Sequence, residues 1–599
     1  MRRAGAVLVA LSISCAAPEE EVSGFSGGGG GVGGVTHRSA RPLVGGTVLV
    51  GDEGRQAVVS DPERDVVHLV SLTGRTVRAS LKLPAGAQPA RAIWPAGGNV
   101  QVVLRGAGAI ATIDPVTLKL VSTKPVCPEP RGIAWDEAHQ ATLVACASGE
   151  LVTLQGPETT VRRFDADLRD VLVGADGITL TTFRTPTVRR VDGPTVTLPV
   201  VSAGRPMAPT AAFRSFQTAH GVVVVHQDAA DDDVRTVPPP PMMTVTTTPT
   251  PSGNAPPPIP AYYGNGQTVP PCNAAVVRSA VTLISGDAVV GSLELGGVLP
   301  LDAALSPNGA ELAVVHAGNS QLVRLQLAAL RGSTPAACAP LSAPVAVGPD
   351  GQRLSAIGNP IGVAFLPSGD LLVHSREPSA LHVLGARSGV IRLGGGTVET
   401  PGQRLFHEGV GGIACASCHL EGQEDGHVWT LEGQRRRTQS LAGGLGTAPF
   451  HWDGTLPTLT AVLDETFVRR MGGPKPDADV VKSLEAMMKV IPVPKAPTRD
   501  TPVDLVKGKA AFVKAGCEAC HAGADLTNDR TMDVGTGGPL QVPSLVGLAG
   551  RGPWMHDGCA KTLEERFTND RCGGGRHHGS PQLLTPDERS ALIAWLGQQ

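Results

Sequence analysis

Two five-residue stretches carry the densest chemistry in the chain: Cys415-Ala416-Ser417-Cys418-His419 and Cys517-Glu518-Ala519-Cys520-His521. Each sets two thiols three positions apart, with an imidazole directly after the second. This C-x-x-C-H spacing lets both thiols add across the vinyl groups of one haem and puts the histidine under its iron as proximal axial ligand. A zinc knuckle or a redox dithiol is the rival reading of such cysteines. Two copies, each beside helical sequence in a chain with an export signal, favour haem attachment. Cys415, Cys418 and His419 are the expected holders of a first haem c, and Cys517, Cys520 and His521 of a second.

The sequence downstream of each motif is repeated as well. Ser440-Leu441 begins 21 residues after His419, and Ser544-Leu545 begins 23 after His521. From each serine the register is shared. Pro449 and Pro553 come at nine, Asp453-Gly454 and Asp557-Gly558 at thirteen and fourteen, and Thr458-Leu459 and Thr562-Leu563 at eighteen and nineteen. The region reads as a tandem of two homologous haem domains.

On these motifs, residues 403–471 and 508–570 resemble the di-haem bacterial cytochrome c peroxidase and MauG-like family. The matching stretches are Arg404-Leu405-Phe406 before the first motif and Ala448-Pro449-Phe450-His451-Trp452-Asp453-Gly454 after it. In the second half they are Val542-Pro543-Ser544-Leu545, Pro553-Trp554-Met555-His556-Asp557-Gly558 and Thr562-Leu563-Glu564-Glu565. The resemblance implies one low-potential haem where peroxide is reduced, one electron-transfer haem, and a tryptophan between them, the position of Trp452. The chain departs from the family in two places. The acid-base glutamate has no counterpart in residues 466–473, and Glu465 is the nearest carboxylate. Met471 is instead a candidate distal ligand that would close the first haem and raise its potential, against the alternative of a core methionine. His427 stands where the family carries a displaceable distal histidine, and with Trp452 makes the candidate catalytic pair. In the second half Asp570 takes the place of the family's distal methionine. Of the nearby donors His577, His578 and Met555, His578 is favoured, being flanked by glycine and close to the Cys559–Cys572 loop. The resemblance also implies calcium between the haem domains, for which no ligand set stands out.

The elements that must position these groups differ along the chain. Residues 476–491 and 503–515 read as helices, the second amphipathic and leading into the second motif. Thr585-Pro586-Asp587-Glu588 is a capping box with proline in the first turn, opening a C-terminal helix. The domains expected here are a first cytochrome c domain over 400–492 and a second over 503–599, both mainly α. Pro492, Pro494, Pro497 and Pro502 make the linker between them stiff. Residues 47–394 read as short strands bounded by Gly, Pro, Asp and Asn. Pro89-Ala90-Arg91-Ala92-Ile93-Trp94 recurs as Pro130-Arg131-Gly132-Ile133-Ala134-Trp135, a spacing of 41, and related stretches begin at Leu301 and Pro360. A period of that size with several strands per unit marks propeller blades. The pattern resembles YVTN-type and related seven-bladed β-propellers, with a β-sandwich array as the alternative. The Pro- and Thr-rich segment 237–272 is an insertion. The expected fold is multidomain: an all-β propeller followed by two mainly α cytochrome c-type domains.

The N-terminus sets the compartment. Arg2 and Arg3 precede an apolar run too short to span a bilayer, so residues 1–15 read as a signal peptide. Cys15 is a candidate lipidated cysteine, with simple cleavage near Ala16 or Ala17 as the alternative. Residues 16–46, rich in glycine, would be a flexible tether. The chain has 11 cysteines. Setting aside Cys15 and the four of the haem motifs leaves six, which in an exported chain pair by nearest neighbours as Cys127–Cys146, Cys272–Cys338 and Cys559–Cys572. With 599 residues and a net charge of -3, the chain is too long for one core and carries no basic field for nucleic acid. The expected protein is a periplasmic or cell-envelope di-haem c-type cytochrome. It would exchange electrons with a redox partner protein or small donor, peroxide is a candidate substrate, and membrane contact would come only through an N-terminal lipid. Whether it is an enzyme of the peroxidase or MauG-like kind is left open; the alternative is an electron carrier or binding module whose propeller docks a partner. No metal triad or cofactor-linking motif occurs in 47–394, which disfavours an active site there.

Overall fold

Short apolar runs separated by turns close, between Val48 and Arg392, into seven successive antiparallel sheets. The structure, a computed structural model, describes residues 42–203, 205–235, 276–332, 357–443, 448–496 and 504–599. The signal segment 1–15 with Cys15, most of the tether, the insertion 237–272, the Cys272–Cys338 pair and the linker residues Pro497 and Pro502 lie outside the described residues. The first four sheets and the seventh have four strands, the fifth has five, and the sixth has three among the described residues. Their innermost strands are Val48–Gly51, Pro89–Ile93, Pro130–Asp136, Leu168–Gly174, Arg205–Thr218, Pro300–Leu305 and Pro360–Phe365. Each packs beside the next, and the last beside the first, so the array is a closed propeller-like ring.

Burial explains why these strands read as runs rather than alternations. Central strands such as Ala141–Cys146 are buried on both faces between neighbouring sheets. Outer strands such as Glu158–Arg163 are exposed throughout. The repeated sequence unit is the innermost strand. Its glycines let neighbouring sheets approach: a Cβ on Gly132 would lie 2.8 Å from the Arg169 carbonyl oxygen, and one on Gly362 would lie 2.3 Å from Thr47 Oγ1. Cys127 and Cys146 are joined by a disulfide, as are Cys559 and Cys572.

After Thr400 the chain turns to eight short α-helices with two small hairpins among the described residues. Two helix pairs recur. Pro401–His407 packs on Ala478–Lys489, and Leu505–Lys514 packs on Pro586–Leu596. Both first helices contain Gly-x-x-x-Phe, namely Gly402/Phe406 and Gly508/Phe512. A Cβ on Gly402 would lie 2.2 Å from Leu484 N, and one on Gly508 would lie 2.3 Å from Trp595 Cβ. Phe406 and Phe512 are fully buried beneath them. The Thr585–Glu588 capping box forms as its sequence implies.

The border between 394 and 400 does not separate two cores. Met207, Ala229, Ala230 and Val234, from the long strands of the fifth sheet and their extension, share one core with Phe406, Ile413, Leu420, Trp429 and Phe467. The strand Asp233–Val234 leaves the ring and pairs in parallel with Val428–Leu431. The last residues of the expected tether are packed rather than free: Leu43 N donates to Nε2 of His407 at 3.1 Å, and Gly45 lies against the Leu301 carbonyl.

Candidate functional site

Each C-x-x-C-H motif coils into a single tight turn. His419 N donates to the Cys415 carbonyl, and His521 N to the Cys517 carbonyl, both at 2.9 Å. The turn puts thiol and imidazole on the wall of one cavity. Cys418 and His419 line the first cavity, and Cys517, Cys520 and His521 line the second. Counting their open mouths, the cavities measure about 1520 and 1390 Å³. All four cysteines are unpaired. Burial pushes Cys415 up to about 11, Cys418 further, and Cys517 upward too. Redox dithiols need the opposite shift. Among the described residues no three His, Cys, Asp or Glu side chains converge as a metal cluster would.

In the second cavity two imidazoles face each other. The rings of His521 and His578 stand 6.3 Å apart with an interplanar angle of 33°. Both rings line the cavity, and a haem bound there could be held through both imidazoles. His521 Nδ1 donates to the Leu526 carbonyl at 3.1 Å and His578 Nδ1 to the Gly573 carbonyl at 3.2 Å. That tautomer leaves each Nε2 lone pair available. Burial, helped by Arg566 and His521, holds His578 at about 3, so it is neutral and able to ligate. Burial also lowers His521.

The cavity's polar rim fits a haem as well. Buried atoms of Arg437, Arg551, Arg566, His556 and Thr536 line it without a hydrogen-bond partner. Unpaired guanidinium N–H groups in an apolar wall need an anion, and a haem carries two propionates. The donor set and the rim fit a covalently attached haem.

The first cavity is built differently. His419 Nδ1 donates to the Gln423 carbonyl at 3.3 Å. Among the described residues no second ring packs against His419. Met471, expected as its distal ligand, is buried in the core and does not line the cavity. The helical turn Asp464–Arg470 explains this. Thr466 and Arg470 share the face toward the cavity, while Phe467 and Met471, one step further round, share the face toward the core. Arg470 is tied to Glu465 at 2.8 Å. His427 is also held away. Its Nε2 meets the Ala230 carbonyl at 3.0 Å and its ring packs edge-on against Trp429, because the strand pairing with Asp233–Val234 draws this segment onto the ring of sheets.

Trp452 lines both cavities. Its Nε1 donates to the Arg437 carbonyl at 2.6 Å, and its ring packs edge-on against His556, from the matching motif of the second repeat, with centroids 6.4 Å apart. The repeat holds down to backbone detail: His451 and Met555 both take positive φ (67° and 70°), and Phe450 bridges Leu456 as Trp554 bridges Ala560. Arg437, which the sequence did not single out, also lines both cavities. Its only sequence signal was a run of three arginines at 435–437.

The loop after the first motif is gripped by the ring of sheets. Glu421, two residues past His419, is paired with Arg105 and with Arg169 Nη1, the latter at 2.9 Å. Burial alone would raise its carboxyl, but Arg105, Arg169 and Arg131 outweigh it and hold it well below the usual carboxylate range. Gln227 Nε2 donates to the Ser417 carbonyl inside the motif at 2.6 Å.

No protein-family model and no curated protein sequence matches the chain. Several solved structures are similar at low identity. Hydrazine synthase of Kuenenia stuttgartiensis is 17% identical over 62% of this chain and 100% of that one, with a TM-score of 0.40. Dihydro-heme d1 dehydrogenase NirN is 13% identical over 58% and 66%, with a TM-score of 0.35. A MauG-like protein associated with microbial copper homeostasis is 20% identical over 33% and 86%, with a TM-score of 0.26.

Proposed function

We propose that the chain is an extracytoplasmic di-haem c-type cytochrome whose main work is electron transfer, carried on two tandem cytochrome c-type domains seated on a seven-bladed β-propeller. The observation that carries this is the His521–His578 pair: two imidazoles 6.3 Å apart on one cavity wall, each with Nδ1 tied to a backbone carbonyl, whose Nε2 atoms could hold a haem iron. Cys415, Cys418 and His419 would hold the first haem, and Cys517, Cys520, His521 and His578 the second. The bound groups supply one-electron chemistry at iron. The protein's part is positional. Backbone carbonyls fix each histidine's tautomer, Trp452 is pinned between the sites, and Arg437 borders both. The charged and apolar N-terminal segment supports export, and no helix among the described residues is long and apolar enough to cross a membrane.

Peroxide turnover is secondary in this reading. It could occur only at the first site, where Arg470 stands close to the place at which the family has its glutamate. Purified protein tests both points. Haem staining and pyridine haemochrome should give two covalent haems per chain. Electron paramagnetic resonance should show one low-spin bis-histidine centre, and a second centre that binds cyanide. Peroxide should oxidise the reduced protein slowly. Two cyanide-inert low-spin centres would remove the open first site, and absence of covalent haem would remove the whole reading.

A further inference from the structure

Three guanidiniums, from Arg184, Arg437 and Arg551, gather around one wholly buried carboxylate, Glu424. Arg184 Nη1 lies 3.2 Å and Arg437 Nη2 3.5 Å from Glu424 Oε1. Arg551 feels the same carboxylate electrostatically. Arg184 also reaches Asp167 at 2.7 Å, Arg551 Nη1 donates to the Ser544 and Val546 carbonyls at 2.9 and 3.1 Å, and the buried carboxyl of Asp425 acts on Arg437 as well. Arg437 and Arg551 are 5% and 8% exposed, and the Nε of each has no partner. Burial lowers both, Arg437 to about 10. A buried guanidinium N–H without a partner is costly unless an acceptor completes it.

The two unpartnered Nε groups sit at one address. Arg437 and Arg551 both line the second cavity, and Arg437 lines the first as well. The backbone of Arg437 is fixed from both sides: its N–H donates to the His556 carbonyl at 2.7 Å and its carbonyl accepts from Trp452 Nε1. Its Nη1 donates to the Pro553 carbonyl at 2.5 Å. With Nη1 so held and Nη2 facing Glu424, the Nε–H of Arg437 is the buried donor left for a carboxylate.

We propose that Arg437 and Arg551 form a carboxylate seat between the two cavities that receives a propionate of the second haem. Glu424, tethered by Arg184 of the propeller-like ring, trims the positive charge this seat presents to both irons. This rests on the di-haem reading and deepens it. Arg437 is then a positioning and tuning residue, tied to the ring of sheets through Glu424 and Arg184.

The sign of the effect comes from charge. A ferric centre carries one more positive charge than a ferrous one, so a nearby cation favours the ferrous form and raises the potential. Spectroelectrochemical titration of the holoprotein reads this directly. Haem content is scored first, because a chain without covalent haem sinks the di-haem reading rather than the seat. Arg437→Gln should lower both potentials by about tenfold in the ferric-to-ferrous ratio, about 59 mV for one electron. Glu424→Gln should raise them, and Arg437→Lys should recover most of the loss. Opposite signs cannot come from a general loosening of the fold. Shifts of the same sign in Arg437→Gln and Glu424→Gln, or none in Arg437→Gln, would overturn the proposal. Wild-type potentials should also ignore chelation of calcium and exchange of chloride for phosphate at constant ionic strength. A response to either would assign the charge to a bound cation or the seat to a free anion, and would equally overturn it.

Discussion

A histidine becomes a ligand through what its other nitrogen is doing. His521 and His578 each give Nδ1–H to a backbone carbonyl, so each can offer only Nε2 to whatever lies between them. His578 is flanked by glycine and backed by the Cys559–Cys572 link, features legible in the sequence. The burial of Met471 has a sequence signature too. Leu463, Phe467 and Met471 recur at four-residue intervals, which is a buried helical stripe rather than a ligand position. No local pattern reveals the face Arg470 presents, since that depends on the turn's position against a cavity made from distant residues. His578→Ala should convert the second centre from low-spin to high-spin while the first keeps its spectrum, as read by electron paramagnetic resonance. An unchanged second centre would take His578 out of the ligand set.

At the scale of elements, the helical region is held to the ring by a ladder of buried ion pairs. Asp167 sits in it, 2.6 Å from Arg131 and 2.7 Å from Arg184, and Arg184 continues to Glu424. Burial alone would raise the Asp167 carboxyl, but Arg184 and Arg131 outweigh it and hold it at about 2, against an ordinary 3.8. A carboxylate with a depressed folded pKa stabilises above its unfolded value and loses that contribution as pH falls through the folded one. The window is thus from about pH 4 down to about pH 2, and the contribution of this one group is about 2 kcal/mol. Urea unfolding across that range should show wild type losing stability faster than Asp167→Asn, which should start weaker at about pH 6. Parallel curves would remove Asp167 from the ladder. The helices at 478–489 and 505–514 were readable from periodicity within a few residues. The ladder was not, because its arginines are scattered through several sheets and look in sequence like solvated charges.

For the whole molecule, strand runs and an approximate 41-residue period suffice to suggest a ring of sheets, because blade-like units repeat locally. They do not reveal that the fifth sheet grows out of the ring. Its strands Arg205–Thr218 and Gly221–Ala230 are far longer than their counterparts, and their apolar ends are capped by the first haem-motif region rather than by another sheet. A core shared in this way makes two regions one cooperative unit, since neither buries its apolar face alone. Met207, with 0% exposure, lies in that core on the ring side. Replacing it with alanine should cost roughly 2–5 kcal/mol. If the unit is cooperative, the loss is felt at the first haem as well as in the sheets. Far-ultraviolet dichroism and the Soret signal of the first centre should melt together in wild type, and both should move to lower temperature by the same amount in Met207→Ala. The second C-x-x-C-H motif packs on a separate core of Phe512, Leu592 and Trp595, so a haem held there should keep its own transition. A variant whose sheet signal shifts while the first haem's does not would separate the ring from the haem region and return the propeller to a module of its own.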